Sequence, residues 1–140
     1  MSLRFNKESL LAYIEHVFPQ MKGEFKIEEL STNTTKVRLN VSDRHLRPGG
    51  TVSGPSMFGL ADISVYMAVL AKIGFEALAV TTNCSIDFMR KPAANADIIS
   101  DCKLLKLGKR LAVGDVLIYS EGVSEPVARA SLTYSIPRSL

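Results

Sequence analysis

The sequence predicts an α+β fold, with one long buried helix packed against a single curved antiparallel sheet of about six strands. Three observations carry this. A helical run from Pro55 to Lys72 or Ile73 is apolar on nearly every side, and such a helix belongs at the centre of a core. Six other segments alternate apolar and polar residues with period two, two before the helix and four after it. Short connections among the last four imply an antiparallel meander.

The elements follow in order. Residues 7–17 place Leu10, Leu11, Ile14 and Val17 at helical spacing, and Pro19 stops that helix. Strands are expected at 24–31 and 35–42, joined by Thr32-Asn33-Thr34. In the second, Val37, Leu39 and Val41 alternate with Lys36, Arg38 and Asn40, so one face is wet. An irregular stretch from Asp43 to Gly54 holds Pro48, Gly49 and Gly50. Pro55 then opens the long helix, where its missing N–H has no intrahelical partner to lose, and Gly74 ends it. Residues 79–88 put Val80, Thr82, Cys84, Ile86 and Phe88 on one face, read as the core-facing side, and Pro92 breaks the run. Segments 97–107, 110–120 and 126–136 supply the last three strands. With 140 residues and 15.3 kDa the chain makes one domain, 1–140.

The long helix spans roughly 27 Å at 1.5 Å per residue, close to a bilayer. Asp62 near its middle argues against insertion, at a cost of about 2.5–3.5 kcal/mol, and the flanking strand patterns favour a soluble protein with no membrane role. Lys+Arg 17 against Asp+Glu 14 gives a net charge of +3. The basic residues are scattered, which excludes a nucleic-acid groove or a polybasic anchor and suits an anionic small molecule. Two cysteines, Cys84 and Cys102, make no disulfide framework. The N-terminal residues lack an apolar leader, so the expected compartment is the cytoplasm.

No G-x-S-x-G, P-loop, H-E-x-x-H, C-x-x-C or G-x-G-x-x-G occurs, and two histidines make a histidine metal site improbable. Asp62 is the most informative residue. A charge on a mostly apolar helix is either a structural carboxylate bonded to backbone or to Tyr66, or a carboxylate held in a dry pocket for acid/base or nucleophilic work. The second feature is the helix start at Gly54, whose free N–H groups and dipole suit an oxyanion. Gly54 precedes Asp62 by eight residues, roughly 12 Å along one helix. The two share a site only if a second chain supplies one of them, so this reading demands a dimer.

Residues 45–71, from His45-Leu-Arg-Pro-Gly-Gly through Gly54-Pro-Ser-Met-Phe-Gly-Leu-Ala-Asp, resemble the signature of hotdog-fold acyl-CoA thioesterases of the phenylacetate-pathway (PaaI-like) type, H-x-N-P-x-G-x-x-H-G-G…L-A-D. The resemblance continues through Thr82-Asn-Cys-Ser-Ile-Asp-Phe-Met-Arg-Lys-Pro and Leu107-Gly-Lys-Arg to Ala130-Ser-Leu-Thr-Tyr. It implies a hotdog fold and hydrolysis of acyl-CoA, with coenzyme A entering as part of the substrate and no cofactor or metal. Asp62 falls on the family's catalytic carboxylate, Gly54 on the glycine that polarises the thioester carbonyl, and Thr82 on a hydroxyl that holds the attacking water. Arg90, Lys91 and Arg110 fall near positions that meet the phosphates of coenzyme A. Phe58 and Tyr66 are candidates to shape the acyl pocket. Three positions depart from the pattern: Arg47 replaces Asn, Ser53 replaces the His of H-G-G, and Pro55 replaces its second Gly. Arg47 keeps the ability to meet a carbonyl or phosphate, and Ser53 is placed to cap the helix.

The leading expectation is therefore an acyl-CoA hydrolase working as a homodimer or homotetramer. The alternative is a non-catalytic acyl-CoA or lipid binder with a degenerate site. A hotdog hydratase ranks below both, because His45 and Asp62 stand 17 residues apart with the Pro-Gly pair misplaced.

Overall fold

The computed structural model describes residues 2–137. Helix α1 (Lys7–Val17) begins at a reciprocal cap, in which Asn6 Oδ1 accepts the Ser9 N–H at 2.8 Å and Ser9 Oγ accepts the Asn6 N–H at 3.0 Å. Such a cap satisfies two of the end's orphan donors. Leu10 and Ile14 bury one stripe of it. Pro19 does more than stop the helix, since it opens a short 3-10 turn, Pro19–Met21.

Strands β1 (Phe25–Leu30) and β2 (Thr34–Leu39) follow, then helix α2 (Gly54–Ile73) and strands β3 (Val80–Phe88), β4 (Ile98–Leu107), β5 (Leu111–Ser120) and β6 (Ala128–Ser135). All pair antiparallel in one sheet of order β1-β2-β4-β5-β6-β3. The meander holds for β4, β5 and β6 alone. Strand β3 is corrected to the far edge, beside β6, because its connection to β4 runs past the ends of the sheet. Both edges are distinct in character. Edge β1 shows Lys26, Glu28 and Glu29, charges that blunt further pairing.

Helix α2 lies under this curved sheet, with buried residues on every side from Met57 to Lys72. Its length and composition alone would pass for a membrane span, but the sheet takes up that apolar surface. Val65 packs so closely on β5 that a Cβ on Gly114 would sit 3.1 Å from it. A small buried polar patch fastens helix to sheet. Ser64 Oγ donates to the Leu60 carbonyl at 2.6 Å and lies 2.5 Å from Ser100 Oγ, while Thr35 Oγ1 donates to the Ser64 carbonyl at 3.1 Å. Ser53 caps α2, accepting the Ser56 N–H at 3.3 Å, and Gly74 closes it at φ 93°. One central helix wrapped by a curved six-stranded sheet is the hotdog arrangement that the resemblance implies.

One register fault matters for the site. Thr81 pairs with Tyr134 and Asn83 with Thr133, so Thr82 is an extra residue in a β-bulge. Cross-strand partners share a face, and Tyr134, Leu132, Ala130 and Ala128 line the helix side of β6. The inward face of β3 is therefore Thr81, Cys84, Ile86 and Phe88. The alternation that put Val80 and Thr82 inward is overturned, since one inserted residue shifts the phase.

Candidate active site

Asp62 is half-buried where α2 passes under β3 and β6. Its Oδ1 accepts two hydroxyls, Tyr134 Oη at 2.7 Å and Thr81 Oγ1 at 2.5 Å. Tyr134 Oη also lies 3.0 Å from the Asp62 carbonyl. Burial, and then the charge of Asp62, hold the Tyr134 phenol well above its ordinary range, so it stays protonated and keeps donating. Cys84, half-buried on the same face, is raised likewise, by burial first and Asp62 second.

The second carboxylate oxygen is different. Oδ2 takes no donor from the described residues, and it is not sealed in, because Thr51 Oγ1 is the one buried side-chain polar atom there without a partner. Asp62 is thus pinned through one oxygen and presents the other.

The start of α2 is built with equal care. Arg47 to Gly50 form a tight turn, closed by the Gly50 N–H on the Arg47 carbonyl at 3.0 Å and the Arg47 N–H on the Thr51 carbonyl at 2.9 Å. Leu46 and Val52 bridge its base. His45 is buried beneath it. Its Nδ1 accepts the Ser42 N–H at 2.9 Å, which leaves Nε2 to donate to Glu24 at 2.9 Å. The His45 carbonyl accepts the Ser53 N–H at 2.8 Å. Burial would raise the Glu24 carboxyl, but Arg44 and His45 outweigh it and hold it below the usual carboxylate range. Gly54 follows as the first helical residue, and its N–H finds no acceptor among the described residues. The ring of Phe88 lies on it, 3.3 Å from where a Cβ would stand.

The expected site residues divide by location. Gly54, Ser53 and Pro55 sit together at the helix start, with Phe58 one turn on and partly exposed. Asp62 stands about 12 Å further along the same helix. Thr82 is exposed, its hydroxyl donating to the Thr133 carbonyl at 3.3 Å, and Thr81 takes the place on Asp62. Tyr66 does not bond Asp62 either. It is buried, its phenol pushed up to about 12 by that burial, with Oη donating to the Ala77 carbonyl at 2.8 Å and its ring stacked on Tyr134 at 6.0 Å. Arg47 is exposed on its turn. Lys91 and Arg110 are exposed, and Arg90 bonds the Pro126 carbonyl at 2.9 Å and pairs with Glu125 at 3.4 Å.

Sequence reasoning missed Thr81 and Tyr134. Tyr134 was legible in principle, since a tyrosine on the inward face of a strand needs a partner for its hydroxyl. Thr81 was not, because nothing local marks the bulge. A separate groove of about 800 Å³ runs over the outer face of the sheet, lined by Lys36, Asp101, Lys103, Asp115 and Arg129 among others. It lies on the opposite face from Asp62.

Comparison with known proteins agrees with this fold. The family model of the thioesterase superfamily matches residues 49–127, more than half of the chain. A candidate thioesterase from Silicibacter sp. TM1040 is 62% identical over 99% of this chain and 96% of that one, with a TM-score of 0.93. A variant of the phenylacetic acid degradation protein PaaI from Thermus thermophilus is 28% identical over 85% of this chain and 99% of that one, TM-score 0.72. A hypothetical thioesterase from Streptococcus pneumoniae, solved with coenzyme A, shares the fold at 20% identity over 96% of this chain and 100% of that one, TM-score 0.72. A search of curated proteins finds no match. With the matched segment covering both the Gly54 turn and Asp62, and the fold shared from end to end, this chain belongs to the thioesterase superfamily.

Proposed function

We propose that this protein hydrolyses acyl-CoA thioesters to free acid and coenzyme A, with Asp62 as general base or nucleophile and the Gly54 N–H of a partner chain as oxyanion donor. The observation that carries the reading is the divided carboxylate. Two neutral hydroxyls fix Oδ1 and so orient Oδ2, the arrangement a base or nucleophile needs before it meets water or a thioester. Thr81 and Tyr134 are positioning residues, and the water-holding role expected of Thr82 is not supported, since the bulge turns it off the Asp62 face and its hydroxyl donates to the Thr133 carbonyl. The Gly54 N–H, without an acceptor among the described residues, stands at the positive end of a 20-residue helix, where it stabilises charge developing on the carbonyl oxygen.

Both groups act on one substrate only across two chains, since one helix separates them by about 12 Å. Strand β3 supports the pairing. Among the described residues no strand pairs with its outer edge, and its margin exposes Leu78 and Val80, apolar residues that edge-to-edge pairing would cover. The functional unit is a homodimer, and the outer-face groove with charges of both signs supports further pairing to a homotetramer. Exposed Arg90 and Lys91 lie just beyond the Phe88 end of β3 and Arg110 lies at the opposite end of the sheet, beside Ser135 and Ile136, so these cations gather on one set of phosphates only across two chains. The coenzyme A held by the Streptococcus pneumoniae protein supports that ligand class.

A second reading, an acyl-CoA binder without turnover, is favoured by Pro55, which has no N–H and reduces the donors at the helix start to Gly54. One experiment separates them. Wild type and Asp62→Asn are assayed on short, medium and aryl acyl-CoA. Turnover is expected to fall roughly 10²-fold or more in the variant, with substrate binding little changed. A wild type that binds acyl-CoA but shows no Asp62-dependent hydrolysis establishes the binder instead.

A further inference from the structure

Phe88 is the one inward-facing residue of β3 that the core does not cover. Its neighbours on that face, Thr81, Cys84 and Ile86, are half-buried, whereas Phe88 is 51% exposed although it pairs with fully buried Ala128. Its ring is seated on Gly54, with the ring's outer carbons 3.3–3.7 Å from the position of an added Cβ. Phe58, four residues after Gly54 and on the same side of the helix, is 37% exposed, and Met89 is 42% exposed. The backbone behind Phe88 is fixed, because the Met89 and Arg90 N–H groups both donate to the Val127 carbonyl, at 2.8 and 3.2 Å. Among these open apolar side chains it is the Phe88 ring that lies against Gly54, whose N–H has no acceptor among the described residues. A ring 3.3 Å from the position of a Gly54 Cβ stands beside the path of any acyl chain whose carbonyl the Gly54 N–H holds.

We infer that Phe88 is the specificity-determining residue of this site: its ring, laid on Gly54 and held by a fixed backbone, is the wall against which the first carbons of the acyl group must lie. This rests on the thioester-hydrolase reading above. Glycine at position 54 has a second purpose on this account, since it leaves room for the ring. The φ of Gly54 is not positive, so no backbone constraint demands glycine there. Alanine would displace the ring and with it the wall. Bulk at the α-carbon of the substrate is what the wall senses, and a linear chain that bends away from it is sensed less.

The test uses the full chain and compares kcat/KM for acetyl-, isobutyryl-, pivaloyl- and benzoyl-CoA in wild type, Phe88→Ala and Phe88→Leu. Removing the ring should raise the pivaloyl-to-acetyl and benzoyl-to-acetyl ratios about tenfold, the scale of a few methylene-sized changes in a pocket, with leucine between the two. Using ratios cancels any general loss of activity. Gly54→Ala should shift the same ratios, and Phe88→Ala should remove that shift in the double variant. The inference is overturned if the ratios stay within about twofold of wild type, or if sedimentation shows that Phe88→Ala dissociates the assembly with the preference unchanged, which would make Phe88 an interface residue only. Wild-type turnover that depends on Asp62 is measured first, so a failure of the hydrolase reading is recognised before Phe88 is altered.

Discussion

Two hydroxyls on one carboxylate oxygen define the chemistry of Asp62 at the residue scale. Hydrogen bonds to a charged group are worth about 1.5–3 kcal/mol, so losing either should cost roughly tenfold or more in kcat if orientation of Oδ2 is what matters. Thr81→Val is expected to lower kcat on that scale with KM little changed, because the threonine touches Asp62 and not the substrate. Thr82→Val should cost less, its hydroxyl being spent on the Thr133 carbonyl. Steady-state kinetics on the two variants checks the order, and a larger loss at Thr82 would return the main role to it. The importance of Asp62 was legible, since a charge on an apolar helix demands a reason. Its partners were not, because they come from strands 19 and 72 residues away.

Helix α2 sits against β5 at the distance that Gly114 allows. A methyl group there would meet Val65 at 3.1 Å, and both residues lie in packed interior. Gly114→Ala should therefore destabilise by about 1–3 kcal/mol, the usual cost of overpacking. Urea denaturation measures it, and an unchanged midpoint would show that the helix shifts freely. Strand existence was readable from alternation, and the ends matched within a residue or two for most elements. The bulge in β3 and the placement of β3 beside β6 were not readable. A bulge is an insertion relative to a partner strand, so it has no meaning within one strand's own sequence.

At the scale of the whole molecule, Arg38 ties the sheet to its loops. It meets Glu28 at 2.6 Å, Asp97 at 3.0 Å and Glu121 at 2.7 Å. The Arg38 bond holds the Glu28 carboxyl below its usual 4.5. A lowered folded value stabilises the protein above the unfolded value and loses that stability as pH falls through the folded one. Thermal midpoints should therefore be flat near neutrality and drop below about pH 4.5. Arg38→Met should lower the neutral midpoint and make the acid drop shallower, and an unaltered slope would remove Glu28 from the account. Assembly is tested by complementation. Gly54→Pro, which removes the N–H, and Asp62→Asn should each be inactive alone. Mixed and allowed to exchange, they form heterodimers with one intact site of two in half the population, so about a quarter of wild-type activity should return. No recovery, with exchange verified by mass spectrometry, would mean that each site lies within one chain.

The sequence by itself determined the α+β class, the central helix with its caps at Ser53 and Gly74, and the presence of Asp62 and Gly54 two turns apart. These follow from periodicity, capping chemistry and the energetic oddity of a charge on an apolar helix, all local properties. Tertiary structure alone decided that Thr81 and not Thr82 bonds Asp62, that Tyr134 shares that oxygen while Tyr66 stays in the core, and that Phe88 rests on Gly54. Each of those contacts joins residues far apart in the chain. Which of two neighbouring threonines faces inward depends on one unpaired residue in a ladder, and the pairing of strands fixes that.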